Sequence, residues 1–183
     1  MELNKKILFN FLNKKIILMN LKKNSINDNY LKSINNEKYL LTNKENKFNY
    51  ISQEKYIKDI HKSKKKFIFG FWLNNKFIGT AGLQNNIDGR YIGMLIFDKK
   101  SRGKGLGKII IWSLIYLLNK TLKYRVFYAG VDRTNTKSLK VFKSLGFKIF
   151  YAKKDFIKLK LNFNRIKFPK NINNIKIIKN NEK

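Results

Sequence analysis

Residues 98–108 read Asp98-Lys99-Lys100-Ser101-Arg102-Gly103-Lys104-Gly105-Leu106-Gly107-Lys108, between a predicted strand at 90–97 and a predicted helix at 105–120. Three glycines in this stretch let the backbone approach a ligand closely. The unpaired N–H groups and the dipole at the start of the following helix form an anion site. We expect phosphate to bind here, with Arg102, Lys104 and Lys108 adding charge-assisted hydrogen bonds.

The spacing of the glycines excludes two familiar nucleotide loops. A dinucleotide fingerprint, G-x-G-x-x-G, needs a third glycine where Lys108 stands. A Walker A loop needs glycine where Arg102 stands and serine or threonine where Ile109 stands. The phosphate expected at this loop therefore belongs to another kind of ligand.

Hydrophobic periodicity predicts strands and helices on both sides of the loop. Asn74-Asn75 predicts the turn of a hairpin, because asparagine tolerates the left-handed backbone of a two-residue turn. Helices are expected at 28–35, 53–63, 105–120 and 135–145, and strands at 15–21, 67–73, 76–83, 90–97, 124–131, 147–151 and 155–161.

The organisation of the chain predicts one domain. No linker rich in proline, glycine or serine interrupts the first 160 residues. The predicted domain covers 14–161, and residues 1–13 are expected to form a short N-terminal extension. Residues 162–183 are rich in asparagine and lysine, and we expect them to form a basic, loose tail.

The composition excludes several classes of protein. The 183 residues include no Cys and one His, His61, so a thiol nucleophile and a multi-histidine metal centre are excluded, and we expect no metal. The longest apolar run, Ile109 to Leu118, is shorter than the roughly 20 residues of a membrane span. We therefore expect a cytoplasmic protein with no membrane partner.

The net charge of +30 would ordinarily indicate a nucleic-acid partner. The chain has 36 Lys and only 5 Arg, together with 25 Asn and 24 Ile, a profile typical of AT-rich codons. Proteins that contact bases and phosphates favour the bidentate fork of arginine. The excess lysine is therefore interpreted as compositional, and a nucleic-acid partner is not expected, although the charge still attracts anionic ligands.

Two spaced motifs carry a resemblance to a known family. Residues 102–107 match R/Q-x-x-G-x-G/A, and Asn135 to Phe147 match N-x-x-(A/S)-x-x-x-(Y/F)-x-x-x-G-F. Together they resemble the GCN5-related N-acetyltransferase (GNAT) superfamily. Residues 77–83 and 92–96 and the helix from Ser52 are similar to the branch that acetylates ribosomal-protein N-termini (RimJ/RimL-like) and amino-sugar nucleotides. The resemblance covers about 15–161.

The resemblance implies an α/β (α+β) GNAT fold, in which helices flank a splayed, mixed, mostly antiparallel sheet. It implies acetyl-CoA as co-substrate. The backbone of Leu95, Ile96 and Phe97 would pair with the pantetheine arm. The residues implied to wrap the pyrophosphate are Gly103, Lys104, Gly105, Leu106, Gly107 and Lys108, and those implied to lie farther along the cofactor are Asn135, Ser138, Phe142 and Lys143.

The implied reaction is direct attack of a neutral primary amine on the thioester, with a backbone N–H of the bulge in the 90–97 strand polarising the carbonyl. The sequence departs from the family where proton transfer is expected. The tyrosine that serves as acid in many relatives is Phe142 here, and the glutamate of ribosomal-type relatives is Gly130. The groups that remain within reach are Tyr91, Tyr128, Ser138, Asp98 and Asp132. Of these, Tyr91, Tyr128 and Ser138 are the catalytic candidates, with Tyr128 or Tyr91 expected to contact the substrate and ordered water expected to act as base.

Three functions stay open at this point. The first is acetylation of an amino-sugar nucleotide or another small amine, and the second is acetylation of a ribosomal-protein N-terminus. The third is an inactive GNAT fold that binds RNA or the ribosome through its basic surface. The acceptor cleft is expected in 24–50 and 84–90, and an anionic acceptor suits the positive surface. Pairing of the strands after 155 between subunits would give a homodimer.

Overall fold

The computed structural model describes residues 3–36 and 47–180. Within these ranges the chain forms a nine-stranded sheet with helices on both faces. The strands are β1 (Lys5–Phe11), β2 (Lys14–Asn20), β3 (Lys66–Leu73), β4 (Lys76–Asn86), β5 (Gly89–Ile96), β6 (Val126–Asp132), β7 (Lys148–Ala152), β8 (Phe156–Asn162) and β9 (Ile172–Lys179). The helices are α1 (Asp28–Asn36), α2 (Tyr50–Lys62), α3 (Leu106–Leu122) and α4 (Thr136–Ser144).

The strand order is β7-β8-β6-β5-β4-β3-β2-β1-β9. Every neighbouring pair is antiparallel except β5 and β6, which are parallel. The predicted fold class, a mixed and mostly antiparallel sheet flanked by helices, is confirmed.

The local signals in the sequence explain most of the element boundaries. Asn74 and Asn75 have φ angles of 48° and 64°, the left-handed backbone that a two-residue hairpin turn requires. Helix α2 begins three residues before its predicted start. The reason is that Asn49 accepts a hydrogen bond from the Ser52 N–H (2.8 Å) while the Ser52 hydroxyl accepts one from the Asn49 N–H (3.0 Å), a reciprocal capping box.

The core has two layers because alternate residues of each strand point to opposite faces. On one face, Phe69 and Phe71 of β3 join the fully buried Trp112 of α3 in the larger cluster. On the other face, α1 and α2 form a smaller cluster, in which Tyr30 packs edge-on against Phe97 with ring centroids 5.4 Å apart. The sheet is thus held between α3 with α4 and α1 with α2.

The two chain ends differ from the sequence-based expectation. Residues 1–13 were expected to be an extension and 162–183 a loose tail, but β1 and β9 pair with each other from Lys5 opposite Lys179 to Phe11 opposite Ile172. Strand β1 also pairs with β2. The sequence did not predict these two strands because apolar and polar residues alternate only weakly in them. The pairing of the two chain ends is visible only in three dimensions.

Candidate active site

Strands β5 and β6 are paired at one place, where Tyr91 lies opposite Tyr128. In the described chain they are not paired again, although β5 continues to Ile96 and β6 to Asp132. The carboxyl-terminal parts of the two strands therefore present open edges to each other. We call this opening between β5 after Tyr91 and β6 after Tyr128 the wedge.

A bulge ends β5 beside the wedge. The N–H groups of Phe97 and Asp98 both donate to the carbonyl of Ile78 in β4, each at 3.2 Å. Because backbone polar groups alternate in direction along a strand, Ile96 turns its N–H and carbonyl toward the wedge. Leu95, Ile96 and Phe97 were expected to pair with a pantetheine arm. The N–H of Phe97 is directed into the sheet and is not available for that pairing.

The glycine loop opens at the end of the wedge. Gly103 and Gly105 have left-handed φ angles of 77° and 75°, and no heavy atom lies within 4 Å of the position that a Cβ would take at either. Gly105 is the N-cap of α3 and provides no side-chain cap, and the Lys108 N–H donates to the Gly105 carbonyl at 3.1 Å, so the N–H groups of Leu106 and Gly107 are the ones left for a ligand. Lys104 is exposed and Lys108 is half-buried. The loop can therefore offer N–H donors and two ammonium groups to one anion.

Asp98 holds the loop in place. Its carboxylate accepts hydrogen bonds from the Ser101 hydroxyl and from Lys76 Nζ (3.1 Å), while its carbonyl accepts from the Ser101 N–H (3.0 Å). Burial by itself would raise the pKa of Asp98, but the hydrogen bonds from Ser101 and Lys76 outweigh it and leave the pKa lowered. The side chain is therefore a carboxylate at neutral pH.

Two loop residues have structural contacts that the sequence did not indicate. Arg102, expected to contact phosphate, donates from Nε to the carbonyl of Ile96 at 2.8 Å and so ties the loop to the end of β5. Gly107 faces the protein, since a Cβ there would lie 2.7 Å from Cε of Met94. Gly107 thus allows α3 to pack closely on β5.

The second motif begins α4. Asn135 is the N-cap, and its side chain accepts a hydrogen bond from the Ser138 N–H at 3.0 Å. The ring of Phe142 is buried against Phe147, with centroids 5.1 Å apart, whereas Lys143 is exposed. Asn135 and Ser138 lie where β6 ends and α4 starts, beside the wedge. Phe142 belongs to the core, so its contact with the co-substrate stays a prediction.

The catalytic candidates Tyr91 and Tyr128 lie at the root of the wedge, with ring centroids 5.6 Å apart. The Tyr91 hydroxyl donates to Asp88 at 2.6 Å, and Lys158 Nζ donates to the same carboxylate at 2.9 Å. Hydrogen bonds from Tyr91 and Lys158 lower the pKa of Asp88. Burial and the bond to Asp88 raise the pKa of Tyr91, so its phenol stays protonated at neutral pH.

The structure explains why glycine, and not a residue with a carboxylate, stands at position 130. A Cβ at Gly130 would lie 2.5 Å from Cζ of Phe156, so the Phe156 ring occupies the space beside the backbone there. Sequence reasoning missed Phe156, Asp88 and Lys158. Asp88 and Lys158 are 70 residues apart and no local pattern links them, so they meet only because β6 pairs with β5 on one side and with β8 on the other.

The segments expected to build the acceptor cleft are partly described. The turn at 84–90 lies beside Tyr91 and contributes Asp88 to the network at the root of the wedge. Of 24–50, residues 37–46 lie outside the described residues. The described remainder of that segment includes α1, which packs against Phe97 at the end of β5.

The geometry fits an elongated ligand with phosphates at one end. The open space over Gly103 and Gly105, the first turn of α3 and the exposed Lys104 suit the phosphates. The wedge suits an extended arm that pairs with strand backbone, because the Ile96 N–H faces it while the Ile96 carbonyl accepts from Arg102. An acyl-coenzyme A has this shape and charge distribution.

Comparison with known proteins supports that fit. Residues 30–147, well over half of the chain, match the model of the acetyltransferase (GNAT) family. The chain therefore belongs to the GNAT family, and this membership makes it an acetyltransferase with acetyl-CoA as its acetyl donor. No curated protein matches the sequence.

Solved structures of low sequence identity share the fold. Campylobacter jejuni N-acetyltransferase PseH, also solved with acetyl coenzyme A, has a TM-score of 0.60 and 23% identity, covering 80% of this chain and 97% of its own. Mycobacterium smegmatis RimJ, in complex with CoA-disulfide, has a TM-score of 0.72 and 13% identity, covering 90% and 91%. RimL, a ribosomal L7/L12 alpha-N-protein acetyltransferase, has a TM-score of 0.69 and 13% identity, covering 80% and 90%.

None of the helices within residues 3–36 and 47–180 has the length and hydrophobicity of a membrane-spanning segment. The same residues contain no group of three or more His, Cys, Asp or Glu side chains that could hold a metal ion.

Proposed function

We propose that the protein transfers the acetyl group of acetyl-CoA to the primary amine of a small anionic molecule, for which an amino-sugar nucleotide is the best fit. The observation that carries this proposal is the wedge, which has the phosphate-binding loop at the end of β5 and a tyrosine pair at its root. The loop suits the phosphates of the donor. The tyrosine pair suits an acceptor that enters between β5 and β6.

The chain's own groups account for binding and orientation. Acetyl-CoA supplies a thioester whose carbonyl carbon the amine attacks. The Ile96 N–H, turned toward the wedge, is the donor that polarises an oxygen placed there. The protonated Tyr91 phenol, held by Asp88, can donate a hydrogen bond but is a poor base. Removal of the amine proton is therefore assigned to ordered water.

Departure of the thiolate needs little assistance. The conjugate thiol has a pKa of about 8.5, so a thiolate leaves at neutral pH more easily than an alkoxide. The burial of Phe142, where many relatives have an acidic tyrosine, is compatible with a slower but active enzyme. Tyr128, which lies opposite Tyr91 and has a half-buried side chain, is the hydroxyl best placed to contact the acceptor.

The charge of the molecule favours an anionic acceptor. At +30, the surface repels a polyamine and attracts a phosphorylated amine. Acetylation of a protein N-terminus is the second candidate, which the likeness in fold to RimL supports. Against it, the ring of Phe156 fills the space at Gly130, where ribosomal-type relatives were expected to have a glutamate.

The test is a calorimetric titration with acetyl-CoA of the wild type, Gly105→Asp and Asn173→Asp. Gly105→Asp strains a left-handed position and repels the pyrophosphate, so micromolar binding should be lost. Asn173→Asp makes the same change in charge on β9, the edge strand that lies far from β5 and the glycine loop. This variant should bind acetyl-CoA as the wild type does. Wild-type protein that fails to bind acetyl-CoA at low salt would refute the proposal.

Once binding is established, release of free thiol in the presence of candidate amines identifies the acceptor. Amino-sugar nucleotides should be acetylated faster than uncharged amino sugars, and polyamines should not react. If an N-terminal peptide of a ribosomal protein reacts faster than every nucleotide-linked amine, the second candidate replaces the first.

A further inference from the structure

One face of β6, β7 and β8 is bare. Along β6 and β8 the buried residues, such as Ala129 and Leu159, point toward α3 and α4. The opposite face carries large aromatic side chains that no described helix covers: Tyr128, Phe150 (50% exposed), Tyr151 (41%) and Phe156 (38%). Together with Lys153, Lys158 and Lys160 we call these residues the aromatic face.

A register shift in β7 contributes two of these rings. The pairing of β7 with β8 is irregular between Ile149 and Tyr151, so Phe150 occupies an extra position. The Phe150 ring lies edge-on to Tyr128 with centroids 5.5 Å apart, and Tyr151 is paired with Lys158. Phe150 and Tyr151 therefore contribute to the same face although they are consecutive.

The aromatic face is positively charged. Lys158 Nζ lies 5.9 Å from the centroid of Tyr151, Lys153 Nζ lies 6.0 Å from the same ring, and Lys160 Nζ lies 5.7 Å from that of Tyr128. Lys158 forms an ion pair with Asp88, but neither Lys153 nor Lys160 forms one with a carboxylate in the described chain. Two ammonium groups on this face thus remain available to an anion.

The face adjoins the wedge. Tyr128 is the residue at which β6 pairs with β5, and Phe156 lies against Gly130, two residues farther along β6. A depression of about 430 Å³ lies on the face, lined by Phe150, Tyr151, Lys153, Phe156 and Lys158. The depression therefore lies beside the root of the wedge, whereas the glycine loop before α3 follows the other end of β5.

We propose that the aromatic face is the acceptor subsite and that it binds the nucleoside diphosphate part of a nucleotide-linked amine. This inference rests on the proposed function. Bases stack on exposed aromatic rings, and lysine ammonium groups bind phosphate oxygens. Uncovered rings, lysines that have no carboxylate partner among the described residues and a depression of this size together match both halves of a nucleoside diphosphate, and the linked amine then points toward the wedge.

The experiment titrates uridine, cytidine, guanosine and adenosine 5′-diphosphates into protein saturated with CoA, so that the phosphate loop of α3 is already filled. At least one should bind, and Phe156→Ala and Lys160→Gln should each weaken its binding about fivefold or more. The matched controls are Phe168→Ala, another exposed phenylalanine, and Lys176→Gln on β9. Both should bind CoA and the nucleotide as the wild type does.

The outcomes separate the two proposals. If the wild type binds CoA but no nucleoside diphosphate, or if the four variants weaken binding equally, the subsite is refuted and the acetyltransferase function stands. If CoA itself does not bind, the proposed function fails and the subsite falls with it. Tighter binding of a uridine decanucleotide than of any diphosphate, with a steep salt dependence, overturns the subsite in favour of single-stranded RNA.

Discussion

At the scale of single residues, the glycines of the loop serve two different purposes. Gly103 and Gly105 supply left-handed backbone with open space beside it, which suits a ligand. Gly107, in the same motif, supplies close contact between α3 and Met94. The motif therefore combines two positions that are open to a ligand with one packing position, and the sequence pattern does not distinguish them.

Replacement of Gly107 by alanine tests this division. A Cβ 2.7 Å from Cε of Met94 forces the flexible end of that side chain to move, which places the cost at the low end of the range for overpacking, about 1 kcal/mol. We expect a lower midpoint of urea unfolding, with CoA binding weakened less than by Gly105→Asp. Loss of CoA binding with unchanged stability would show that Gly107 contacts the ligand instead.

Asp98 gives a pH-dependent prediction. Its pKa is lowered in the folded protein, so its carboxylate stabilises the fold fully above the unfolded value of about 3.9, and this contribution is lost as the pH falls through the folded pKa. Asp98→Asn should therefore be less stable than the wild type at pH 7, and the difference should shrink at pH 3. Urea unfolding of both proteins at pH 7 and pH 3 measures this difference in stability. A difference that grows toward low pH would contradict a stabilising Asp98 carboxylate.

At the scale of elements, helix termini position the site. The N-cap of α3 is Gly105, which has no side chain to cap the helix, whereas the N-cap of α4 is Asn135, whose side chain accepts from the Ser138 N–H. An uncapped N-terminus leaves its N–H groups to a ligand, and a capped one uses them for stability. The two motifs of the sequence thus differ in what their helix starts do.

Asn135→Ala should destabilise the protein by about 1 kcal/mol through loss of this cap. Asn135→Ser, which retains a capping oxygen, should restore most of the stability. The free energy of unfolding in urea and the affinity for CoA are measured for both. If Asn135→Ser is as stable as the wild type but binds CoA more weakly, Asn135 also contacts the ligand, as the resemblance implies.

At the scale of the whole molecule, the sheet continues past the predicted domain at both ends of the chain. β1 and β9 lie four or more strands from the wedge, and the half-buried Ile172, Ile175 and Ile177 of β9 pack on the main core. These strands therefore stabilise the sheet without contributing to the site.

Removal of residues 171–183 should lower the thermal midpoint. Loss of the burial of three half-buried isoleucines is partly offset by the conformational entropy of a backbone that no longer has to be ordered, and the net cost is about 2 kcal/mol. For a chain of this size, that cost lowers the thermal midpoint by about 4–8 °C. Affinity for CoA should stay unchanged. Removing only 181–183 is the control, and an equal midpoint for both truncations would show that β9 adds no stability.

The net charge of +30 predicts a response to salt. Self-repulsion destabilises the compact state and is screened by added ions, because the Debye length falls from about 30 Å at 0.01 M to about 8 Å at 0.15 M. The thermal midpoint should rise between these concentrations of sodium chloride, measured by scanning calorimetry. A falling midpoint would mean that attractive ion pairs outweigh the repulsion.

The sequence by itself determined the order of elements from β2 to β8, the hairpin at Asn74-Asn75, the family and the place of the glycine loop before α3. These features depend on local signals: apolar periodicity, turn residues and motif spacing within one strand–loop–helix unit. Local backbone preference suffices for them, so reading the residues in order finds them.

The tertiary structure alone decided how distant segments meet. It paired β1 with β9, directed the Phe97 N–H to Ile78, tied Arg102 to Ile96 and set Phe156 against Gly130. It also joined Asp88 to Lys158 across 70 residues. Such contacts depend on strand register and on which face each residue takes, and a shift of one residue would reverse the face.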